Sequence, residues 1–395
     1  MELELIENEV LSGKEKCLKV LEAMYWTRFA DEKMQKLIRQ NKGGTFHLSV
    51  LGHEMVGAVC ALSMTPGKDW GLPYYRDRAF AIGIGCSLRD LIGACLARAV
   101  PHHSGGRMMP EHFSHKGLRI PCQSSCVGSQ FLQAVGVAKG VQLAGNDDVV
   151  YVSAGDGATS QGDFHEAINF ACLHRLSVIF VIQDNGWAIS VPVRDQTAGG
   201  SIVKMAQGYE GLSVFDVDGC NYEELSRALS AAVAKGRAKE GPSLVVAKVP
   251  RIGAHSSSDD PLKYKDKSCI DEEKTRDPLP RFEAWLLDMG LISSEEIEAM
   301  KDRCFKQVES AAVDAEQIPF PDKATAATDV YKEVDESFAP FTEDDSSSGA
   351  ESIVIDGCAE PCPRRRDEKR PKRRRVWTRR RTRQRRSIWY HAPPH

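Results

Sequence analysis

A chain of 395 residues, 42% hydrophobic and 27% charged, has the make-up of a globular protein and can bury a large core. No apolar run reaches the ~18 residues of a membrane span, and the acidic start MELELIENEVLSGKEK resembles neither a secretory signal nor a transit peptide. The net charge of −3 is uneven: residues 363–395 carry 15 Lys and Arg against two acids, which leaves 37 basic and 53 acidic residues elsewhere, so the body, at −16, is no generic polyanion binder.

Apolar spacing predicts a first helix over residues 12–41, with Leu18, Leu21, Met24 and Tyr25 on one side and Gly43-Gly44 ending it. His53 to Met64 and Leu88 to Ala99 read as two more helices. His102, His103, His112 and His115 follow; their spacing sets no two of them as ligands with a clear third, so a surface or channel position is expected. Gly128 to Ala144, rich in small residues, reads as a closely packed helix. In Val149 to Ser153 (VVYVS) four of five residues are β-branched or aromatic, the mark of a buried strand. Gly155-Asp156-Gly157 makes a tight turn, Asp163 to Leu173 is helical, and Leu176 to Ile182 (LSVIFVI) is a second buried strand. A strand at Ser213 to Val217 leads to Asn221, an N-cap for a helix reaching about Lys239. Gly241-Pro242 breaks that helix before a strand at Ser243 to Val249. Residues 256–278, polar with few apolar anchors, read as a long surface loop, and 279–315 as helical. Strand and helix alternate, which argues for an α/β fold with a mostly parallel sheet and helices on both faces. Twelve cysteines lack paired zinc spacing: Cys122 with Cys126, and Cys358 with Cys362, have no further ligands at useful distances. Reduced thiols and a cytoplasmic protein are expected.

Three segments divide the chain: a main domain over 1–340, an acidic, Ser-rich linker over 341–362, and the basic tail over 363–395. Two readings of the tail stay open. It is either a solvated arm able to bind nucleic acid or acidic surfaces, or an out-of-frame translation of a following coding region.

Asp156 and Asn185 stand at the C-terminal ends of two strands joined by a helix, the edge at which open α/β sheets bind ligands. One carboxylate and one amide among small residues suit a divalent metal carrying a diphosphate, because magnesium takes few protein oxygens and completes its shell with phosphate and water. No Gly-x-x-x-x-Gly-Lys-Ser/Thr loop and no Gly-x-Gly-x-x-Gly after a strand occurs, which disfavours ordinary nucleotide loops.

Gly155-Asp156-Gly157 with Asn185 resembles the thiamine-diphosphate motif, and residues 155–190 are similar to the alpha subunit of the decarboxylating component of 2-oxo-acid dehydrogenase complexes. Tyr75-Arg76-Asp77 resembles that family's diphosphate contact, and Arg251 to Asp260 (RIGAHSSSDD) its active-site loop; the resemblance covers roughly residues 15–335. It implies a thiamine-diphosphate-binding fold, with magnesium held by Asp156, Asn185 and the Trp187 carbonyl. Tyr75, Arg76, Gly155, Gly157 and Ala158 would contact the diphosphate, Ser125 and Val127 the thiamine end, and His255 would handle protons near the reacting carbon. Ser124, Cys126, Ser129 and Gln130 match a monovalent-cation loop of branched-chain relatives, where K+ would bind, but Cys126 replaces a proline and Ser129 a threonine. Gln183 stands where those relatives carry arginine. Ser256 matches a position phosphorylated in some animal relatives. The resemblance further implies a beta subunit in an α2β2 assembly, a lipoyl-bearing acyltransferase as acceptor and a 2-oxo acid as substrate. Gly106 to Pro110 (GRMMP), Ser124-Ser125 and Thr328 to Tyr331 lean toward branched-chain acids, with pyruvate or acetoin as the alternative.

Overall fold

The computed structural model describes residues 13–328 apart from 45, 110 and 111. The expected linker and basic tail, together with Pro110 and Asp329 to Tyr331 of the motifs above, lie outside the described residues. In chain order the elements are α1 (Gly13–Arg39), α2 (Glu54–Ala61), β1 (Trp70–Leu72), α3 (Arg78–Ile84), α4 (Leu88–Cys95), α5 (Ser129–Leu143) and β2 (Val150–Gly155). A 3-10 turn over Asp156–Ser160 leads into α6 (Gly162–His174) and β3 (Val178–Asp184). The two-residue strands β4 (Trp187–Ala188) and β5 (Val191–Pro192) follow, then α7 (Val193–Gln196), α8 (Ile202–Ala206), β6 (Ser213–Asp218), α9 (Tyr222–Arg237) and β7 (Ser243–Lys248). The last helices are α10 (Lys267–Thr275), α11 (Pro278–Asp288) and α12 (Ser294–Gln317).

Five strands form one parallel sheet in the order β1-β2-β3-β7-β6, with Val152 opposite Phe180 and Val181 opposite Val245. Alternate side chains leave opposite faces. Tyr151, Ile179, Val181, Val245 and Ala247 pack with α1, α2, α9 and α12 in one apolar cluster. Val150, Val152, Phe180, Ile182, Leu244 and Val246 pack with α5, α6 and α8 in a second cluster. Both faces are covered, which is why the strands read as unbroken apolar runs rather than alternating ones. Each fully buried side chain of this size contributes about 1.5–3 kcal/mol.

The predicted parallel sheet and both helical layers are present. Asn221 caps α9, its side chain accepting from the Glu223 and Glu224 N–H groups. The expectation of a continuous loop over 256–278 is corrected: a 3-10 turn at Pro261–Lys263 and helix α10 occupy it. Helix α10 buries none of its residues, so it carries no apolar stripe to read. Its anchor is ionic, with the buried Lys265 Nζ 2.6 Å from Glu273. The helical stretch 279–315 is two helices, separated where Gly290 takes a left-handed φ of 62°. Among the described residues, no helix is long and apolar enough to cross a membrane.

Candidate active site

The tips of β2 and β3 carry the predicted metal residues. Asp156 opens the 3-10 turn after β2 and is 1% exposed. Its Oδ2 accepts from Gln196 Nε2 at 3.1 Å, whereas its buried Oδ1 has no hydrogen-bond partner. A bare carboxylate oxygen in a dry site is costly. Burial, and then the nearby Asp184 carboxylate, lift the Asp156 pKa to about 7; backbone N–H groups and the Arg251 charge only partly offset this. No helix cap accounts for the residue, because no side chain caps this turn. The turn carrying Gly157 and Ala158 is 3-10 rather than the start of an α-helix, and α6 begins only at Gly162.

A short hairpin frames the other side. After Asn185, whose Oδ1 accepts from the Trp187 N–H at 3.2 Å, strands β4 and β5 pair antiparallel. Ile189 at its bend has φ 56°, a left-handed conformation that is an outlier for a β-branched residue. Arg251, just past the tip of β7, holds the bend: its Nη2 donates to the Ile189 carbonyl at 2.8 Å and its Nη1 lies 3.5 Å from the Trp187 carbonyl. Gly157 must be glycine, since a Cβ there would stand 2.8 Å from the Ala188 Cβ.

Tyr75, Arg76 and His255 form a second group beside the first. Arg76 is 2% exposed, so it is no surface residue. Its guanidinium donates to the Ser49 carbonyl and, at 3.2 Å, to the His255 carbonyl, and lies 3.5 Å from His255 Nδ1. The Tyr75 ring meets the His255 ring edge-on at 6.4 Å. Burial, then Arg76 and Arg251, lower the His255 pKa to about 4, so its imidazole is neutral at pH 7. The loop is tied down by Asp259, which accepts from the His255 N–H and from Tyr264 Oη. Ser256 is buried, its Oγ 3.2 Å from Ser258 Oγ. A cavity of about 450 Å³ lies against this loop, bordered by Arg39, His47, Ser49 and Ser256 to Ser258.

Ser125 and Val127 are exposed on the loop before α5. That loop abuts the Asp156 turn: a Cβ on Gly128 would lie 3.0 Å from Gln161 Cγ and 3.8 Å from the Ala158 carbonyl oxygen. The buried Gln130 side chain ties the start of α5 to β2 by donating to the Ser153 carbonyl at 3.0 Å. Ser129 Oγ donates to the Cys126 carbonyl at 2.8 Å. Gln183 points into the core, where its Oε1 lies 2.8 Å from His53 Nδ1 and its Nε2 donates to Asp77 at 3.1 Å. His102 and His115 stack on each other at 4.0 Å. Sequence reasoning missed Gln196 and the bracing role of Arg251; Arg251 followed a strand end, but nothing in its neighbours marked the hairpin as its target.

A family model described as "Dehydrogenase E1 component" matches residues 21–324. The chain belongs to this family. Its alpha-subunit relatives include 2-oxoisovalerate dehydrogenase subunit alpha of Bacillus subtilis, 37% identical over 308 residues, which cover 78% of this chain and 93% of the relative. The 3-methyl-2-oxobutanoate dehydrogenase subunit alpha of Mycobacterium tuberculosis is 34% identical over 323 residues, 79% and 82% of the two chains. The pyruvate dehydrogenase E1 component subunit alpha of Staphylococcus epidermidis is 30% identical over 326 residues, 82% and 85%. The family makes this chain a component of a thiamine-diphosphate-dependent 2-oxo-acid dehydrogenase.

The residues present fit the coenzyme and a magnesium ion. Asp156 Oδ1 is a buried acceptor with no hydrogen-bond partner, and the Asn185 amide and Trp187 carbonyl follow the tip of the neighbouring strand β3 as neutral oxygens. Among the described residues no group of three or more His, Cys, Asp or Glu side chains makes a ready-made metal cage. Magnesium held partly by phosphate needs none.

Proposed function

We propose that this chain is the alpha subunit of the decarboxylating component acting on branched-chain 2-oxo acids of the 3-methyl-2-oxobutanoate type, with the acyl group passing to the lipoyl group of a dihydrolipoyl acyltransferase. The observation that carries the site is the buried, unpartnered Oδ1 of Asp156, close enough to Arg251 to feel its charge. In this reading Asp156, Asn185 and the Trp187 carbonyl hold magnesium, and Gly155, Gly157 and Ala158 line the diphosphate. Tyr75 and the planar donor fork of Arg76 bind its outer oxygens. When bound, the coenzyme supplies the nucleophilic carbon and the electron sink for loss of carbon dioxide. His255, neutral and held by the Arg76 contact, accepts or returns a proton at its ring nitrogen. Diphosphate charge beside Arg76 would weaken the repulsion that now disfavours the imidazolium.

The exposed apolar side chains Val127, Ile189 and Val191 flank the strand tips. They support a beta subunit closing the site in an α2β2 assembly, with that subunit supplying the group that activates the coenzyme ring. The domain body over 1–340, the linker over 341–362 and the tail over 363–395 are carried in this reading as three segments. A potassium ion at the Ser124–Gln130 loop would share oxygens already engaged, the Cys126 carbonyl above all. Branched-chain specificity rests on Gly106-Arg107-Met108-Met109 and on the relatives of that type. The Staphylococcus relative supports pyruvate as the second reading. Pocket shape discriminates by only about 1–3 kcal/mol per methylene. The test is co-expression with its beta chain and assay of carbon dioxide release. 3-Methyl-2-oxobutanoate is expected to exceed pyruvate by about tenfold or more in kcat/KM; the reverse order would transfer the assignment to the pyruvate type.

A further inference from the structure

We propose that His112 is a positioning residue: it turns the Ser125 hydroxyl into a hydrogen-bond acceptor for the exocyclic amino group of the bound coenzyme. The inference rests on the reading of Ser125 as a contact to the thiamine end. Its own basis is a pair of hydrogen bonds. His112 Nδ1 lies 2.8 Å from the Met109 carbonyl oxygen, and Ser125 Oγ lies 2.8 Å from His112 Nε2. A carbonyl can only accept, so Nδ1 carries the hydrogen. In the neutral imidazole Nε2 then holds a lone pair, and the Ser125 hydroxyl must donate its one hydrogen to it.

What remains on Ser125 Oγ is two lone pairs and no hydrogen. The side chain is exposed, on the loop that abuts the Asp156 turn through Gly128 and Gln161. A ligand group meeting it there must donate. The ring end of thiamine diphosphate carries one such N–H group, the amino group on the pyrimidine. The tautomer of His112, set by the Met109 carbonyl, thereby selects a coenzyme with an amino group over one with a carbonyl at that place. Without His112 the hydroxyl rotates freely and can donate or accept, and the selection is lost.

The test uses the apo heteromer and calorimetry with thiamine diphosphate and with oxythiamine diphosphate, in which oxygen replaces that amino group. The wild type should prefer the amino form by about tenfold, the worth of one good hydrogen bond. His112→Phe should lose about tenfold in affinity for thiamine diphosphate and little for the oxygen analogue, so the preference disappears. Ser125→Ala should match it, and the double variant should be no worse than either alone. His112→Gln, whose amide oxygen can accept from Ser125, should keep the preference. A role confined to holding the loop would weaken both coenzymes alike, and that result overturns the proposal, as does a His112→Phe protein that still discriminates. If His112→Phe fails to assemble, Ser125→Ala against His112→Gln decides the matter in the same way. A wild-type heteromer that takes up neither coenzyme would instead sink the proposed function.

Discussion

Two buried carboxylates, Asp31 and Asp156, are each 1% exposed, and they have opposite surroundings. Asp31 on α1 is saturated. Arg78 Nη1 stands 2.7 Å from its Oδ1, the Val50 N–H donates at 3.0 Å, Ser49 Oγ donates to its Oδ2 at 2.8 Å, and His47 Nε2 lies 3.2 Å away. Burial alone would push its pKa up, but His47 and Arg78 hold it well below the usual carboxylate range. Asp156 takes a side-chain hydrogen bond from the Gln196 amide, its Oδ1 lacks a partner, and its pKa rises. A buried charge with a full set of partners is scaffold. A buried carboxylate left incomplete by its own chain is, in the proposed function, the place where a metal ion supplies the missing charge.

That contrast can be broken in three ways. The largest effect belongs to Asp31→Asn, which removes the carboxylate charge 2.7 Å from the buried Arg78 guanidinium. It should cost about 3–5 kcal/mol of unfolding free energy, read by urea denaturation; a loss under ~1 kcal/mol would show that Asp31 is not the scaffold anion. Next, Asp156→Ala should leave unfolding free energy unchanged or slightly raised, because a poorly solvated group is removed. The same variant should weaken magnesium-dependent uptake of thiamine diphosphate by about a hundredfold or more. Normal uptake in calorimetry would refute the metal assignment.

The smallest effect concerns Asp77, an intermediate case. Burial raises its pKa from 3.8 to about 6, although Ser153, Tyr151 and Gln183 all donate to it. The folded state therefore binds more protons than the unfolded state between about pH 4 and 6, and stability falls as pH rises through that window. Asp77→Asn removes the titration. Relative to the wild type, the variant should gain on the order of 1–3 kcal/mol between pH 4 and pH 7, followed by denaturant midpoints at each pH. A pH-independent difference would show that Asp77 is ionised throughout.

The parallel sheet was legible because β2, β3 and β7 are buried on both faces and so carry unbroken Val, Ile and Phe runs. β1 was not, since Trp70-Gly71-Leu72 is too short to show a pattern. α10 was hidden for a different reason: it is held by an ion pair rather than by an apolar stripe. Within the site, Asp156, Asn185, Arg76 and His255 could be named from their motifs. Gln196 and the bracing of the hairpin by Arg251 could not, because each acts on a residue 40 or more positions away.

By itself the sequence determined the alternation of strands and helices, the pair Asp156 and Asn185 at two strand ends that is proposed to bind metal, and the family. Only the tertiary structure decided that Asp156 keeps an oxygen bare, that Gln183 turns away from the site into a core network, and that His112 Nε2 meets Ser125 Oγ at 2.8 Å. The physical reason is that periodicity and turn chemistry are properties of neighbours along the chain. Desolvation and hydrogen-bond saturation depend on which distant side chains the packed sheet and helices bring within about 3 Å.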